Sequence, residues 1–234
     1  MVYKDLVALA DAALASRGRI ELAAAIAGQF GAHLVGLYAE ITPELPHRLG
    51  YSDPALLDPL YREVEAASRE RAQVVRGVFE GVVMRHTLSA ELRFATGDPS
   101  EVAALYGRDA DLIVAGQIDP EDKMTLPSRP RPEYVALAAG RPVLVIPYAG
   151  RFDQVGQRVI VGWDASREAT RAINDALPLR TAAQSVTVMT IDPEVGPDGH
   201  GGIPGADIAL HHRRLWALAR SRADSRGCHA HDPQ

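Results

Sequence analysis

Apolar residues cluster in short runs that are apolar almost throughout rather than at every second position. They are Leu6–Ala10, Leu34–Tyr38, Leu92–Ala95, Leu112–Ala115 and the stretch between Pro142 and Pro147. Runs of this kind suit strands covered on both faces, as in a parallel sheet. Between them the period changes. Ile20, Ala23, Ala24, Ala27 and Phe30 fall on one side of a helix over 16–30, and Gly31 stands where that helix stops. Leu57, Leu60, Tyr61, Val64, Val74, Val75 and Val78 are near helical spacing across a long segment from Pro54 to Glu80. Asp98-Pro99-Ser100-Glu101 is a helix start. The aspartate caps, proline takes the first turn and an acid follows three residues after the cap. That helix runs to about Arg108, and a shorter one follows Pro132. Strands alternating with helices predict an α/β fold: a doubly wound, five-stranded parallel sheet with helices on both faces.

After the polar connection 149–157 the pattern restarts. Val159–Trp163 ends at Asp164 as Leu6–Ala10 ends at Asp11. A shift of 153 residues superposes Asp11 on Asp164, Ala12 on Ala165, Ile20 on Ile173, Ala23 on Ala176 and Val35 on Val188 without a gap. This reads as an internal repeat of a whole domain. The expected organisation is a complete unit over 1–148, a linker over 149–157, a partial second copy over 158–211, and a basic tail over 212–234. The second copy has room for two strands only. Half a parallel unit leaves strand edges that must be paired, so a truncated or frameshifted tandem protein is the expectation.

Composition narrows the function. Net charge is −5, which gives no bulk argument for nucleic acid or an anionic membrane. Cys228 is the only cysteine, so no intrachain disulfide is possible and a reducing cytoplasm is the expected compartment. No stretch approaches the apolar length of a membrane span, and the N-terminus lacks the pattern of a signal peptide.

The residues quoted so far carry a resemblance to the universal stress proteins (the UspA family), in tandem form. "YKDLVALAD" opens the first unit, "ATGDPSEVAAL" precedes the fourth strand, and "RDADLIVAGQ" forms it. "GRPVLVIPYAG" forms the fifth, and "QRVIVGWDASREATRAINDALPL" reopens the pattern. "HGGIPGADIALH" resembles the loop and helix that follow the second unit's second strand. The resemblance covers about residues 2–211. It implies a fold of the adenine-nucleotide alpha-hydrolase-like (Rossmann-like) type, a homo-oligomer, an unknown protein partner, and a stress-response role without a shared enzymatic reaction. Many members bind ATP. In those, an acid after the first strand contacts the nucleoside, and Asp11 and Asp164 match it. A Gly-x2-Gly-x9-Gly-Ser/Thr loop after the fourth strand holds the phosphates, and Gly116 matches its first glycine.

The rest of that loop departs from the pattern. Asp119 stands at the second glycine, and Arg129-Pro130 replace the final pair. A phosphate loop needs glycines so that backbone N–H groups can close on the anion. Asp119, Glu121 and Asp122 add negative charge, and prolines at 120, 127, 130 and 132 remove four donors. The expectation is a degenerate nucleotide site and no resident cofactor. Lys123, Arg129 and Arg131 offset the acids only by folding inward. The alternatives are an ATP-binding or slowly hydrolysing switch using Asp11 and Gly116, and a protein-interaction module acting as a homo-oligomer. Asp11 and Asp164 also have a plainer reading as helix N-terminal acids.

The remaining motifs carry little chemistry. Gly199–Gly205 misses the dinucleotide spacing by one residue and reads as a connection. Cys228, His229 and His231, with His211 and His212, sit in an arginine-rich tail with no motif to converge them on a metal. His33 and His86 are lone histidines beside strands. No nucleophile elbow or paired-carboxylate signature occurs, so no catalytic residue, specific nucleic-acid partner or membrane partner is expected.

Overall fold

The computed structural model describes residues 2–41, 54–121, 129–150 and 152–190. The chain divides into two compact units after Val155. In the first, β1 (Asp5–Leu9), β2 (His33–Glu40), β3 (Ala90–Thr96), β4 (Leu112–Gly116) and β5 (Val143–Ile146) form one sheet in the order β3-β2-β1-β4-β5. Every adjacent pair is parallel. The helices between them are α1 (Leu14–Phe30), α2 (Pro54–His86), α3 (Pro99–Gly107) and α4 (Pro132–Ala139).

Strand alternation splits the core. Val7, Leu9, Val35, Leu37, Ile113 and Ala115 pack with Ala103 and Ala104 of α3 and Val135 and Ala139 of α4. Leu6, Ala8, Leu34 and Val114 point to the other face, where Ile20, Ala23, Ala24 and Ala27 of α1 and Val75, Phe79 and Val82 of α2 are buried. The local signals hold: Asp98 accepts from the Ser100 and Glu101 amides at 2.8 and 3.1 Å, and Gly31 ends α1 in the left-handed region at φ 64°.

The chain leaves β1 toward β2 and β3, then returns to the other side of β1 for β4 and β5. The carboxyl ends of β1 and β4 therefore flank the point where strand order reverses. Ligands of open α/β sheets bind in that crevice.

In the second unit, β6 (Arg158–Gly162) pairs in parallel with β7 (Ser185–Met189), connected through α5 (Arg167–Asp175) and α6 (Leu177–Thr181). This repeats the β-α-β order of the first unit, with one difference. Asp5 lies opposite His33, and Arg158 opposite Ser185. The second connection is one residue shorter, so Val188 sits one register position beyond Val35 and the gapless superposition fails there. The cause lies in the helix. Where α1 is continuous, Pro178 restarts the second unit's helix as α6. Residues Gly199–Gly205, the histidines and Cys228 of the tail, and Asp122, Lys123 and Pro127 lie outside the described residues.

Candidate functional site

The crevice between β1 and β4 is closed from inside by Arg19. On α1, Ser16, Arg19, Ile20, Ala23 and Ala27 share the arc that faces the sheet, and all are buried. Arg19 therefore enters the core stripe and ends at the sheet's carboxyl edge. Its Nε donates to the Leu9 carbonyl at 2.6 Å. Its Nη2 donates to Asp11 Oδ2 at 2.7 Å and to Ser16 Oγ at 3.1 Å. The two side chains of the ion pair are only 7% and 10% exposed.

Asp11 is fixed on its own account. Its Oδ1 accepts from the Ala13 amide at 2.8 Å, and its amide donates to Ser16 Oγ at 3.1 Å. Gly116 completes the arrangement. A Cβ there would overlap Arg19 Nη1 and crowd Cζ at 3.1 Å, so the glycine lets a guanidinium lie against the end of β4. Arg129 also folds inward. It is 8% exposed, with Nε 4.0 Å from Asp11 Oδ2. Arg131 does not reach the acid. Its guanidinium lies over the Tyr134 ring, and its amide donates to Ser100 Oγ at 3.0 Å. Asp119 accepts from the Glu121 amide in a local turn.

Leu9, Asp11, Ala13, Ala15, Arg19, Gly116, Gln117, Arg129 and Pro130 leave a space of about 10 Å³. That volume holds about one water, whereas pockets for small-molecule ligands are typically about 300–1,000 Å³. A larger hollow of about 600 Å³ lies along α1, between Arg17, Glu21 and His86 and the segment Pro147–Asp153 after β5.

Sequence treats Asp11 and Asp164 alike, and the structure separates them. Asp164 lies fully exposed; the Ser166 hydroxyl and amide hold its carboxyl below the usual range. Among the described residues no arginine forms an ion pair with it, so the second unit has no copy there of the Asp11–Arg19 arrangement. Sequence reasoning also missed Arg19. The signal was there: a serine and an arginine interrupt an apolar helical stripe at 16 and 19.

A second polar cluster fastens α2 to the end of β2. Glu40 accepts from Arg71, from Ser68 at 2.9 Å and from Tyr38 at 3.0 Å. Burial and then the neighbouring Glu40 push the Tyr38 hydroxyl up to about 12. Burial alone would raise Glu40, but the hydrogen bonds from Arg71, Ser68 and Tyr38 outweigh it and hold the carboxyl low. Among the described residues no group of His, Cys, Asp and Glu could hold a metal ion, and no helix is long and apolar enough to cross a membrane.

No family model matches the chain, and no curated protein matches it. Solved structures do, and many of those neighbours are universal stress proteins. One from Archaeoglobus fulgidus DSM 4304 is 17% identical with a TM-score of 0.54, covering 94% of this chain and 73% of that one. UspA from Lactobacillus plantarum is 24% identical at a TM-score of 0.48, covering 62% and 99%. An Archaeoglobus fulgidus universal stress protein in complex with dAMP is 15% identical at 0.41, covering 62% and 99%. The fold of this chain is that of the universal stress proteins.

Proposed function

We propose that this chain is a universal stress protein that acts in stress response without catalysis and without a resident nucleotide. One observation carries the reading: the Arg19 guanidinium fills the crevice at the strand-order reversal, bonded to Leu9 and Asp11. A ligand entering there must break a buried ion pair and strip a carbonyl of its donor. Leaving such groups unpaired costs several kcal/mol, on the order of 3–5 for one buried charge. The loop adds to this, since Asp119 places a carboxylate where the pattern has a glycine, and Pro120 and Pro130 supply no backbone N–H where phosphates would lie. Nothing in the site resembles a nucleophile with its base, which supports a binding role. Cytoplasmic residence and a homo-oligomeric state belong to the same reading.

Native mass spectrometry with and without magnesium and ATP tests it. The expected spectrum shows the same mass in both conditions. An added ATP or AMP per chain in the wild type overturns the reading.

The second reading, an ATP-binding switch, draws on Asp11 and Gly116 standing at the ends of β1 and β4, and on the neighbour that holds dAMP. It requires Arg19 to leave the crevice. Arg19→Ala would then bind adenosine more tightly than the wild type.

A further inference from the structure

We propose that the outer edge of β6 pairs antiparallel with β6 of a second copy of this chain, in a register that sets Arg158 of each copy against Asp164 of the other. The inference deepens the homo-oligomeric part of the reading above and rests on it.

The hydrogen bonds of β6 show which of its backbone groups are committed. The Trp163 amide donates to the Met189 carbonyl, and the Gln157 carbonyl accepts from the Gln184 amide. Backbone groups alternate in direction along a strand, so residues 157, 159, 161 and 163 serve β7, while Arg158, Ile160 and Gly162 turn theirs to the outer edge. In the first unit the matching positions are Asp5, Val7 and Leu9. There β4 runs along β1, and the Asp5 carbonyl accepts from the Asp111 amide. The second unit has no such neighbour among the described residues, where its sheet is β6 and β7 alone. An open edge of this kind is a template for another strand.

Side chains follow the same alternation. Val159 and Val161 lie on the covered face with Ile173, Ala183 and Val186. Arg158, Ile160 and Gly162 share the other face, and all are exposed. Asp164, just past the strand, is exposed as well. The covering helix also leaves room. Where α1 packs across both β1 and β4, its counterpart α5 buries no residue.

The order of residues selects the occupant. A two-fold axis at Val161 brings Ile160 opposite Gly162 and Arg158 opposite Asp164, each on both sides of the axis. All of these residues stand at outward-facing positions, so backbone groups and side chains meet together. The glycine gives Ile160 room, and opposite charges directly across a strand pair are favourable. Moving the axis to Ile160 sets Arg158 against Gly162 and separates the charges. A strand pair of this length buries well under the roughly 1,200 Å² of standard interfaces. The dimer is therefore weak and forms as concentration rises, and in the dilute monomer the edge amides exchange fast.

The test is sedimentation velocity of the full chain over a concentration series, with amide exchange followed in parallel. The expected result is a reversible monomer–dimer equilibrium in which the Ile160 and Gly162 amides slow as the dimer forms. Arg158→Asp and Asp164→Arg each set like charges across the strands on both sides of the axis, and each should raise the dissociation constant about tenfold. The two changes combined restore opposite pairs and should return it to within about threefold of wild type. Both positions are exposed, and thermal melting checks that every variant folds. Single variants that associate like wild type, or a double variant as weak as the singles, overturn the inference and leave the homo-oligomeric reading standing. A chain that stays monomeric at every concentration overturns both. Ile160 and Gly162 amides protected in that monomer would mean that another segment of the chain holds the edge.

Discussion

A glycine at the end of β4 has a different task here from the one its motif suggests. Gly116 gives room to a side chain of the same molecule. Gly116→Ala forces a Cβ into Arg19, and overpacking of this kind costs about 1–3 kcal/mol. In an Arg19→Ala background the same change should cost far less, since the clash has gone. A double-mutant cycle by urea denaturation reads that coupling directly, and additive costs would show that Gly116 and Arg19 are independent. Glu40 gives a pH dependence. Its carboxyl is held low in the folded protein, so its contribution is present above its ordinary value of 4.5 and fades as pH falls through the folded value. Glu40→Gln should therefore lie furthest below wild type near neutral pH, and the two melting curves should converge in acid.

At the scale of elements, much of the first unit could be read from the chain. Leu112–Ala115 is apolar at every position because α1 covers one face of β4 and α3 and α4 the other. Asp98 is a cap whether or not anything packs on α3, because the capping bond is local. Arg19 could not be placed in the same way. An arginine on a helix flank is ordinarily solvated, and only the sheet edge beneath α1 decides that this one is buried. The slip of β7 was hidden for another reason. Ser185–Met189 alternates exposed and more buried positions, so its own pattern fixes which face turns inward, but the shorter connection made by the helix break at Pro178 is invisible to a gapless superposition. Helix α6 carries a liability of its own. Arg180 is 3% exposed, donates from Nη1 to the Ile173 carbonyl, and has buried Nε and Nη2 atoms with no partner among the described residues. Burial lowers its pKa. Arg180→Met keeps the volume and removes the charge, so it should stabilise the second unit by about 1–3 kcal/mol. Thermal unfolding followed at Trp163 tests this, and a lower midpoint would mean the guanidinium is needed.

Across the whole molecule the two units differ in how much core they possess. The first buries Leu6, Ile20, Leu34, Ile113 and Val135 completely or nearly so. Among the described residues the second has Val161 and Val186 as its buried aliphatic cluster, at 8% and 9% exposure, and Ile160 on the same sheet is 70% exposed. Two parallel strands are seldom stable by themselves. Amide exchange should therefore be fast in β6 and β7 and slow in β1 and β4, reporting separate opening of the two units. Equal protection would show that the second unit is completed by something that covers its sheet.

The bond from Arg19 to the Leu9 carbonyl has a physiological corollary. The Leu9 carbonyl at the sheet's carboxyl edge is satisfied by the chain's own Arg19, so on the proposed reading folding does not draw on a bound nucleotide. A protein stabilised by its nucleotide softens when a starving cell drains its adenylate pool, since stability follows ligand concentration. This one should melt at the same temperature in energy-rich and energy-depleted lysates.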